Sequence, residues 1–355
     1  MKPVHLAGRA LACARGLALA PILQALQTQP APSASHYDLR EHGRFPYERI
    51  PDGNDPRQWD TRARALVQRV AADAGAEQAR CGLLVIGTSC QDGEAAQTPG
   101  RIMDFHALGQ RVGSWLDWQG PVLVVSGACT ASLQAMLCAQ EWLHNGLANQ
   151  ALVLGLELDN GLTVPGFAAL QLLSPTSSRP FGLMRDGLVL GEAVAALRLS
   201  TTEPSAWVLR GGAHVVDGSQ PTSASAPAVA TLCDRACASS GVPTHAIDLI
   251  KVQAAGSPGN DAAEALGLQN AFEALPPLIS LKPLLGHCMG ASGVAEIALL
   301  LHCLEQGFWP HVAQAPDPAL GVQLAARAPE RLRYLFATIL GFGGSHAAVV
   351  LEHRA

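Results

Sequence analysis

The sequence predicts an α/β fold made of two halves that repeat one order of strands and helices. Short, wholly apolar segments rich in β-branched residues alternate with segments whose apolar residues recur every three or four positions. The same alternation restarts after residues 200–205, which are interpreted as the joint between the halves. The 355 residues are 48% hydrophobic and only 15% charged, so much of the chain is interior or interface. We therefore expect a duplicated α/β unit whose sheets pack together.

The first half, residues 1–200, is predicted from the order of its apolar and polar segments. Residues 122–125 and 151–155 are the clearest strands, because each is a short apolar run bounded by turn residues. Between them, apolar residues at three- and four-residue steps indicate a helix that ends at Asn145-Gly146. The other predicted elements are a strand at 4–6, a surface excursion at 31–60, a helix at 58–74, a strand at 81–87, a polar loop at 92–100 and a helix at 102–118.

The second half, residues 201–355, follows a glycine-rich stretch in which residues 187–199 are predicted to form a strand pair. It repeats the strand and helix alternation and ends in a hairpin through Gly341-Phe342-Gly343-Gly344. Its predicted elements are strands at 206–210, 247–253, 278–281, 332–340 and 347–352 and helices at 226–239, 261–272 and 287–306.

Composition and charge argue against several classes of function. A net charge of −5 without any basic cluster disfavours a surface for nucleic acid or anionic lipid. Nine cysteines are ordinary for a reduced protein, and no second pair joins Cys233 and Cys237 to complete a zinc site. Arg9 and Arg15 interrupt the apolar N-terminal run, and no segment is long enough to span a membrane. We expect a soluble cytoplasmic protein without a metal, a nucleic-acid partner or a membrane anchor.

Cys129 lies where the strand at residues 122–125 turns into a helix. Free backbone N–H groups and the positive end of a helix dipole stabilise a thiolate at such a position. The sequence therefore predicts a lowered thiol pKa and a candidate nucleophile. The alternative is a small buried apolar thiol, the common state of an intracellular cysteine.

Three further segments of small residues follow predicted strands and carry reactive side chains: QAAGSPGND, SLKPLLGHCMGASG and LGFGGSH. Strand ends are where open α/β sheets bind ligands. His287 is either a base facing a nucleophile or a structural residue. Lys282 is either a surface lysine or an internal one paired with Glu296. The glycine run at residues 341–344 is either a tight hairpin or a source of N–H groups for an oxyanion hole with Cys129.

Together these segments resemble the elongating β-ketoacyl-acyl carrier protein synthases of the thiolase fold, over nearly the whole chain. SGACTAS is similar to the family's nucleophile turn, with Cys129 at the acyl-accepting position. RPFGLMRDGLVLGEA resembles the family's RPFDxxRDGFVxGEG, with glycine where aspartate is usual. Lys282, His287 and Glu296 match the spacing of K…GHTxGAAGxxE, and GFGGSH resembles GFGGTN.

The resemblance implies a thiolase-like fold, in which two duplicated α/β halves form a layered αβαβα core. It implies an acyl thioester substrate, an acyl carrier protein partner, no cofactor, and a homodimer or a heterodimer with a ketosynthase homologue. The implied site consists of catalytic Cys129, His287 and Lys282, an oxyanion hole and gate formed by Cys129, Phe342 and Gly343, and supporting acids Glu296, Asp261 and Glu264.

One position departs from the family's pattern. The family has a histidine in the sequence NAHGT, which helps to polarise the malonyl thioester. This chain has the sequence QAAGS there, with Ala255 at the position of the histidine. Asp261 and Glu264 keep the family's D-x-x-E spacing after a shorter loop. Losing one hydrogen-bond donor of this kind typically costs about 3–4 kcal/mol of transition-state stabilisation. The sequence therefore predicts impaired condensation.

Three functions remain open on the sequence. The first is a divergent ketosynthase that condenses with His287 alone. The second, which we favour, is a subunit like the chain-length factor of type II polyketide or related fatty acid systems, paired with a complete ketosynthase. Retention of Cys129 fits that role less well, because many such subunits have replaced this cysteine. The third is an acyltransferase or thioesterase that uses Cys129 and His287 without decarboxylation.

Overall fold

The computed structural model describes residues 2–28, 35–39, 43–55, 58–91, 104–219 and 221–354. The polar loop predicted at residues 92–100 begins after Gln91 and lies outside the described residues. The strands are β1 (Val4–Cys13), β2 (His36–Leu39), β3 (Gly43–Glu48), β4 (Leu83–Gly87), β5 (Val122–Val125), β6 (Gln150–Glu157), β7 (Leu190–Gly191), β8 (Ala193–Ser200), β9 (Trp207–Val216), β10 (Leu249–Lys251), β11 (Leu278–Ile279), β12 (Tyr334–Leu340) and β13 (Ser345–His353). The helices are α1 (Leu19–Thr28), α2 (Trp59–Asp73), α3 (Phe105–Trp115), α4 (Ala131–His144), α5 (Thr163–Ala169), α6 (Ala226–Ser240), α7 (Pro258–Ala271), α8 (Lys282–Leu285) and α9 (Ser292–Glu305).

The large sheet repeats one topology in its two halves. Each half contributes five strands, whose spatial order is the third, second, fourth, fifth and first along the chain. This order is β5-β4-β6-β8-β1 in the first half and β11-β10-β12-β13-β9 in the second. In each half the first three of these strands are parallel, and the last two are added antiparallel. The predicted duplication is confirmed, while the domain boundary between residues 200 and 201 stays a prediction.

The helices lie in three layers around the strands. α4 and α9 form the middle layer, because each contacts strands of both halves. Their buried apolar residues, including Leu133 and Ile297, belong to one large core cluster. α2 and α3 cover the outer face of the first half, and α6 and α7 cover that of the second. The two halves of the large sheet are the two strand layers. The layers therefore run helix, sheet, helix, sheet, helix, which is the predicted αβαβα core.

Several predicted elements were wrong in extent or kind. The first strand continues to Cys13, because Arg9 is only half-buried and pairs at the surface with Glu305. The excursion at residues 31–60 contains β2 and β3, which pair with each other. The strand pair predicted at residues 187–199 does not form, since β7 pairs with β3, and β8 pairs with β1 and β6.

Two sharp turns, before α4 and before α9, bring reactive side chains of the two halves together. A short 3₁₀ turn precedes each helix, at Ala128–Thr130 and at Met289–Ala291, and the two turns are in contact. Ala128 has a φ of 50° and Met289 a φ of 44°, in the left-handed region that costs a non-glycine residue roughly 1–3 kcal/mol. The helix predicted to start at His287 therefore begins only at Ser292.

Three general features bear on the kinds of site present. Within the described ranges, no helix combines the length and apolar character needed to cross a bilayer. The same part of the chain holds no group of three or more His, Cys, Asp or Glu side chains arranged for a metal ion. The nine cysteines are all free thiols, and five of them besides Cys129 are buried.

Candidate active site

Cys129 and His287 meet at the junction of the two halves. The Sγ atom of Cys129 lies 3.2 Å from Nε2 of His287, and both side chains are buried, with only 2% of each residue exposed. The backbone N–H of His287 donates to the Val189 carbonyl oxygen, and its Nδ1 lies 3.0 Å from the Ser292 hydroxyl. This second contact fixes the ring, so that Nε2 faces the thiol.

Gly286 determines how His287 enters the site. Its φ is 70°, and a Cβ at this position would lie 2.9 Å from the backbone carbon of Leu190. Any other residue would therefore collide with β7 as well as strain the turn. The glycine allows the chain to reverse after α8 and present the imidazole to Cys129.

The predicted lowering of the Cys129 pKa is wrong. Burial dominates and raises the thiol pKa to about 11, against smaller lowering effects of the Lys282 ammonium and the Phe342 backbone N–H. Burial also holds the pKa of His287 well below its usual 6.5, and the positive charges of Lys282 and Lys251 add to this effect. At neutral pH the resting pair is thus a thiol and a neutral imidazole, a base that can accept the thiol proton.

The backbone N–H of Phe342 is the predicted second donor of the oxyanion hole. It acts as a hydrogen-bond donor towards the Cys129 sulfur. The predicted contribution of Gly343 is wrong, because its N–H donates to the Pro221 carbonyl oxygen at 2.8 Å. Phe342 also stacks on Phe167, with ring centroids 5.2 Å apart and planes inclined by 10°. Phe342 lines the same cavity as Cys129.

Hydrogen bonds tie the nucleophile turn to the glycine-rich turn of the other half. The hydroxyls of Thr130 and Ser345 are 2.8 Å apart, and the Gln134 amide donates to both. His214 of β9 lies 3.0 Å from the Ser345 hydroxyl. This network links the turn that carries Cys129 to the turn that carries Phe342.

A buried ionic cluster lies behind the histidine. Glu296 accepts hydrogen bonds from the ammonium groups of Lys282 and Lys251, the latter at 2.6 Å. All three side chains are at most 1% exposed. The spacing correctly indicated the pair of Lys282 and Glu296, but Lys251 was missed. A lysine inside the apolar segment IDLIKVQ was the available signal, because a lysine in a buried strand requires a partner.

Asp261 and Glu264 hold the loop that carries Ala255. The Asp261 carboxylate accepts the N–H groups of Ala255 and Gly256, as well as that of Phe181. The Glu264 carboxylate accepts two N–H groups just before this loop at 2.7 Å. Burial raises the pKa of Asp261 to about 6 and that of Glu264 to about 7. Both acids therefore position backbone rather than face the thiol directly.

Cys129, His287, Phe342, Asp261 and Glu264 border one narrow cavity of about 20 Å³. Cys129 and His287 line one part of it, and Ala255 lines another with Phe167 and Gln253, which the sequence reasoning had missed. Among the described residues that line the cavity, His287 is the single imidazole. The Gln253 amide oxygen is buried, and no group in the described part of the chain is its hydrogen-bond partner. The cavity thus contains one thiol and one imidazole, and a methyl group at position 255.

Family models agree with this architecture. The model described as the β-ketoacyl synthase N-terminal domain matches residues 78–205, and the one described as the C-terminal domain matches residues 207–315. A polyketide β-ketoacyl synthase of Streptomyces cyaneus is 29% identical over 263 residues, 67% of this chain. The polyketide synthase ThaG of Burkholderia thailandensis is 28% identical over 84% of this chain. The chain spans 62% of the length of the first relative and 6% of the second.

Solved structures share the fold over the full length. A chain of the ketosynthase ApeO in complex with its chain length factor ApeC, from Xenorhabdus doucetiae, has a TM-score of 0.85 at 22% identity, covering 99% of this chain and 98% of that one. A β-ketoacyl synthase from Burkholderia phymatum has a TM-score of 0.83 at 21% identity, with both chains covered completely. Because both domain models match in order and the thiolase-like layers agree, the chain is a divergent member of the β-ketoacyl synthase family.

Proposed function

We propose that this protein is a subunit of an acyl-carrier-protein-dependent polyketide or fatty acid pathway. It takes an acyl group onto Cys129 and pairs with a complete ketosynthase, in the manner of a chain-length factor. The observation that carries the proposal is a cavity lined by a thiol and an imidazole 3.2 Å apart and by Ala255, whose side chain is a methyl group. The site has the side chains that acyl transfer to Cys129 requires. It has no side-chain donor at position 255 for decarboxylation of the malonyl unit.

Acyl transfer needs only Cys129, His287 and the backbone N–H of Phe342. Nε2 of His287 accepts the proton of Cys129, and the thiolate attacks the thioester carbonyl carbon. The negative charge on the carbonyl oxygen is stabilised by the N–H groups of Cys129 and Phe342. When the tetrahedral intermediate collapses, the carbon–sulfur bond to the carrier breaks, and the carrier's sulfur leaves as a thiol with the proton from His287. The products are acyl-Cys129 and free carrier protein.

Condensation lacks a side-chain hydrogen-bond donor at position 255. Decarboxylation of a malonyl thioester puts negative charge on the thioester oxygen, and the methyl side chain of Ala255 cannot donate a hydrogen bond to it. We expect that Ala255→His raises carbon dioxide release from a malonyl thioester by about a hundred- to a thousand-fold over the natural chain. The assay counts labelled carbon dioxide from carboxyl-labelled malonyl carrier protein, with Ser257→His as a control that adds an imidazole elsewhere in the loop. Equal release from the natural chain and Ala255→His would contradict an impaired site.

The edge strand β5 supports pairing with a second subunit. Its four residues, VLVV, are all apolar and only half-buried, and among the described strands it pairs with β4 alone. An exposed apolar edge strand is unusual in a protein that stays monomeric, because it offers free backbone groups to another chain. Two structurally similar chains come from complexes of a ketosynthase with a chain length factor. A homologous subunit is therefore the partner we propose at this edge.

Co-expression with a complete ketosynthase tests the partner role. We expect co-purification as one heterodimer in size-exclusion chromatography, and we expect Leu123→Glu in β5 to abolish it, because a charge would enter the apolar interface. Leu147→Glu is the matched control, since Leu147 is 66% exposed beyond α4. Two separate homodimers, or a heterodimer that survives Leu123→Glu, would contradict the proposed partner or its position.

A second function is favoured by the contact between thiol and imidazole itself. Cys129, His287 and two backbone donors are sufficient for acyl transfer to another acceptor or to water without any decarboxylation. This acyltransferase function predicts turnover of acyl carrier protein by the isolated chain. A subunit that works only beside a ketosynthase would instead load once and stop.

A further inference from the structure

Glu157 is a buried carboxyl group that the proposed chemistry does not use. It is the last residue of β6, and only 4% of it is exposed. One of its oxygens, Oε2, accepts the N–H of Ser89 at 2.9 Å, the Ser89 hydroxyl at 2.8 Å and the N–H of Gly290 at 3.0 Å. Ser89 follows β4 in the first half, whereas Gly290 lies in the turn before α9 in the second. Glu157 therefore joins the two halves of the molecule.

Gly290 lies in the middle of the turn that links His287 to Ser292. The Ser292 hydroxyl lies 3.0 Å from Nδ1 of His287 and orients the ring, which requires the two ends of this turn to stay close together. Met289, next to Gly290, has a φ of 44°, a left-handed conformation that a non-glycine residue keeps only when its surroundings impose it. The hydrogen bond from Gly290 to Glu157 is a contact that helps to impose it.

The space around Gly290 is as restricted as its hydrogen bonding. A Cβ at this position would lie 2.5 Å from the Ser89 nitrogen and 2.9 Å from Oε2 of Glu157. The backbone of the turn is thus packed directly against the carboxylate and the end of β4. A displacement of the carboxylate would therefore move the turn, and with it the two ends that hold the imidazole.

We propose that Glu157 is a positioning residue for His287, and that its carboxylate form holds the turn in the conformation that directs Nε2 at the Cys129 sulfur. The inference rests on the proposed role of this imidazole as the base for Cys129. Glu157 acts through the turn, so it is not itself a catalytic group. A protonated carboxyl group would place an O–H group against N–H donors that now point at the carboxylate. The turn should therefore be held less firmly once Glu157 takes up a proton.

The surroundings of Glu157 set the pH at which this change occurs. Burial raises its pKa to about 7, against the lowering effect of the donors described above and of the Cys90 N–H. Ala193, opposite Glu157 on β8, carries no charge. The ionisable side chain on the adjoining 3₁₀ turn before α4 is the Cys129 thiol, whose pKa the Glu157 charge raises. The charge of Glu157 thus disfavours a thiolate, whereas its hydrogen bond to the turn favours proton transfer to the imidazole, and removing Glu157 separates the two effects.

The test measures how fast iodoacetamide alkylates Cys129 between pH 5.5 and 8.5, read by peptide mass, in the natural chain and in Glu157→Gln. Glutamine keeps the size of the side chain, but its amide group replaces one accepting oxygen by an N–H donor. We expect the variant to be alkylated roughly tenfold more slowly at pH 8, because proton transfer falls steeply when a base is displaced from its partner. The two rates should approach each other below pH 6, where Glu157 of the natural chain is also protonated.

Asp248→Asn is the matched control. The Asp248 carboxylate also accepts two backbone N–H groups, those of Arg333 and Tyr334 at 2.8 Å, but it precedes β10 and does not line the cavity. Its loss should leave the alkylation profile of Cys129 unchanged.

Glu157→Met carries the same comparison if Glu157→Gln does not fold. Equal rates at pH 8 for the natural chain and the folded Glu157 variant, or a faster variant, would overturn the inference. A variant that is slower by one constant factor at every pH would overturn it as well, since its effect would not depend on the carboxylate form. Alkylation requires neither carrier protein nor partner subunit, so a failure of acyl loading would be seen separately from this result.

Discussion

Replacing Cys129 by alanine is expected to abolish covalent loading of the protein by acyl carrier protein thioesters. Cys129 is the one cysteine described in the cavity, and its sulfur lies 3.2 Å from Nε2 of His287. The pair rests uncharged, so loading depends on proton transfer within it and not on a standing thiolate. Intact-mass measurement after incubation with acyl carrier protein should show the acyl mass on the natural chain and none on Cys129→Ala.

Cys138→Ala is the matched control for this loading experiment. Cys138 lies on α4 two and a half turns after Cys129, is half-buried and does not line the cavity. Its removal should leave loading within about twofold, as for a substitution outside the site. Loading that persists in Cys129→Ala would place the acyl group on another residue and contradict the acyl-accepting role of Cys129. Absence of loading in the natural chain would exclude both enzymatic functions and leave the partner role.

Replacing Glu296 by glutamine is expected to produce the largest loss of stability of any single substitution considered. Glu296 is the shared partner of two fully buried ammonium groups, and the amide would leave both without a counter-charge. Breaking a buried ion pair by removing one partner costs about 3–5 kcal/mol of unfolding free energy. Urea unfolding followed by circular dichroism should show the lower midpoint. The loss should shrink as the pH rises above 8, because Lys251 can then become neutral.

Glu305→Gln provides the comparison on the same helix. Glu305 pairs with Arg9 near the surface and is 31% exposed, so its loss should cost at most about 1 kcal/mol. Similar losses for the two variants would mean that Glu296 is not needed as the counter-charge.

The sequence by itself determined most of the fold. Apolar runs such as residues 83–87 and 122–125 identified the strands. Residues 83–87 are fully buried, as a strand covered on both faces must be, whereas residues 122–125 form an edge strand that is only half-buried. Repetition of the strand and helix order indicated the duplication that the sheet topology displays. Motif spacing also selected Cys129, His287 and the pair of Lys282 and Glu296, since each follows a turn whose local conformation is encoded by nearby glycines and small residues.

Only the tertiary structure decided the electrostatics and the finer contacts of the site. The Cys129 pKa is raised because helices and strands of both halves exclude water from the thiol, an effect that no local helix dipole overcomes. The N–H of Gly343 donates to the Pro221 carbonyl oxygen. Lys251 pairs with Glu296, which is 45 residues away in the sequence. Periodicity and spacing report local backbone conformation. Burial and charge instead sum over residues that are distant in sequence, so they exist only once the two halves have packed.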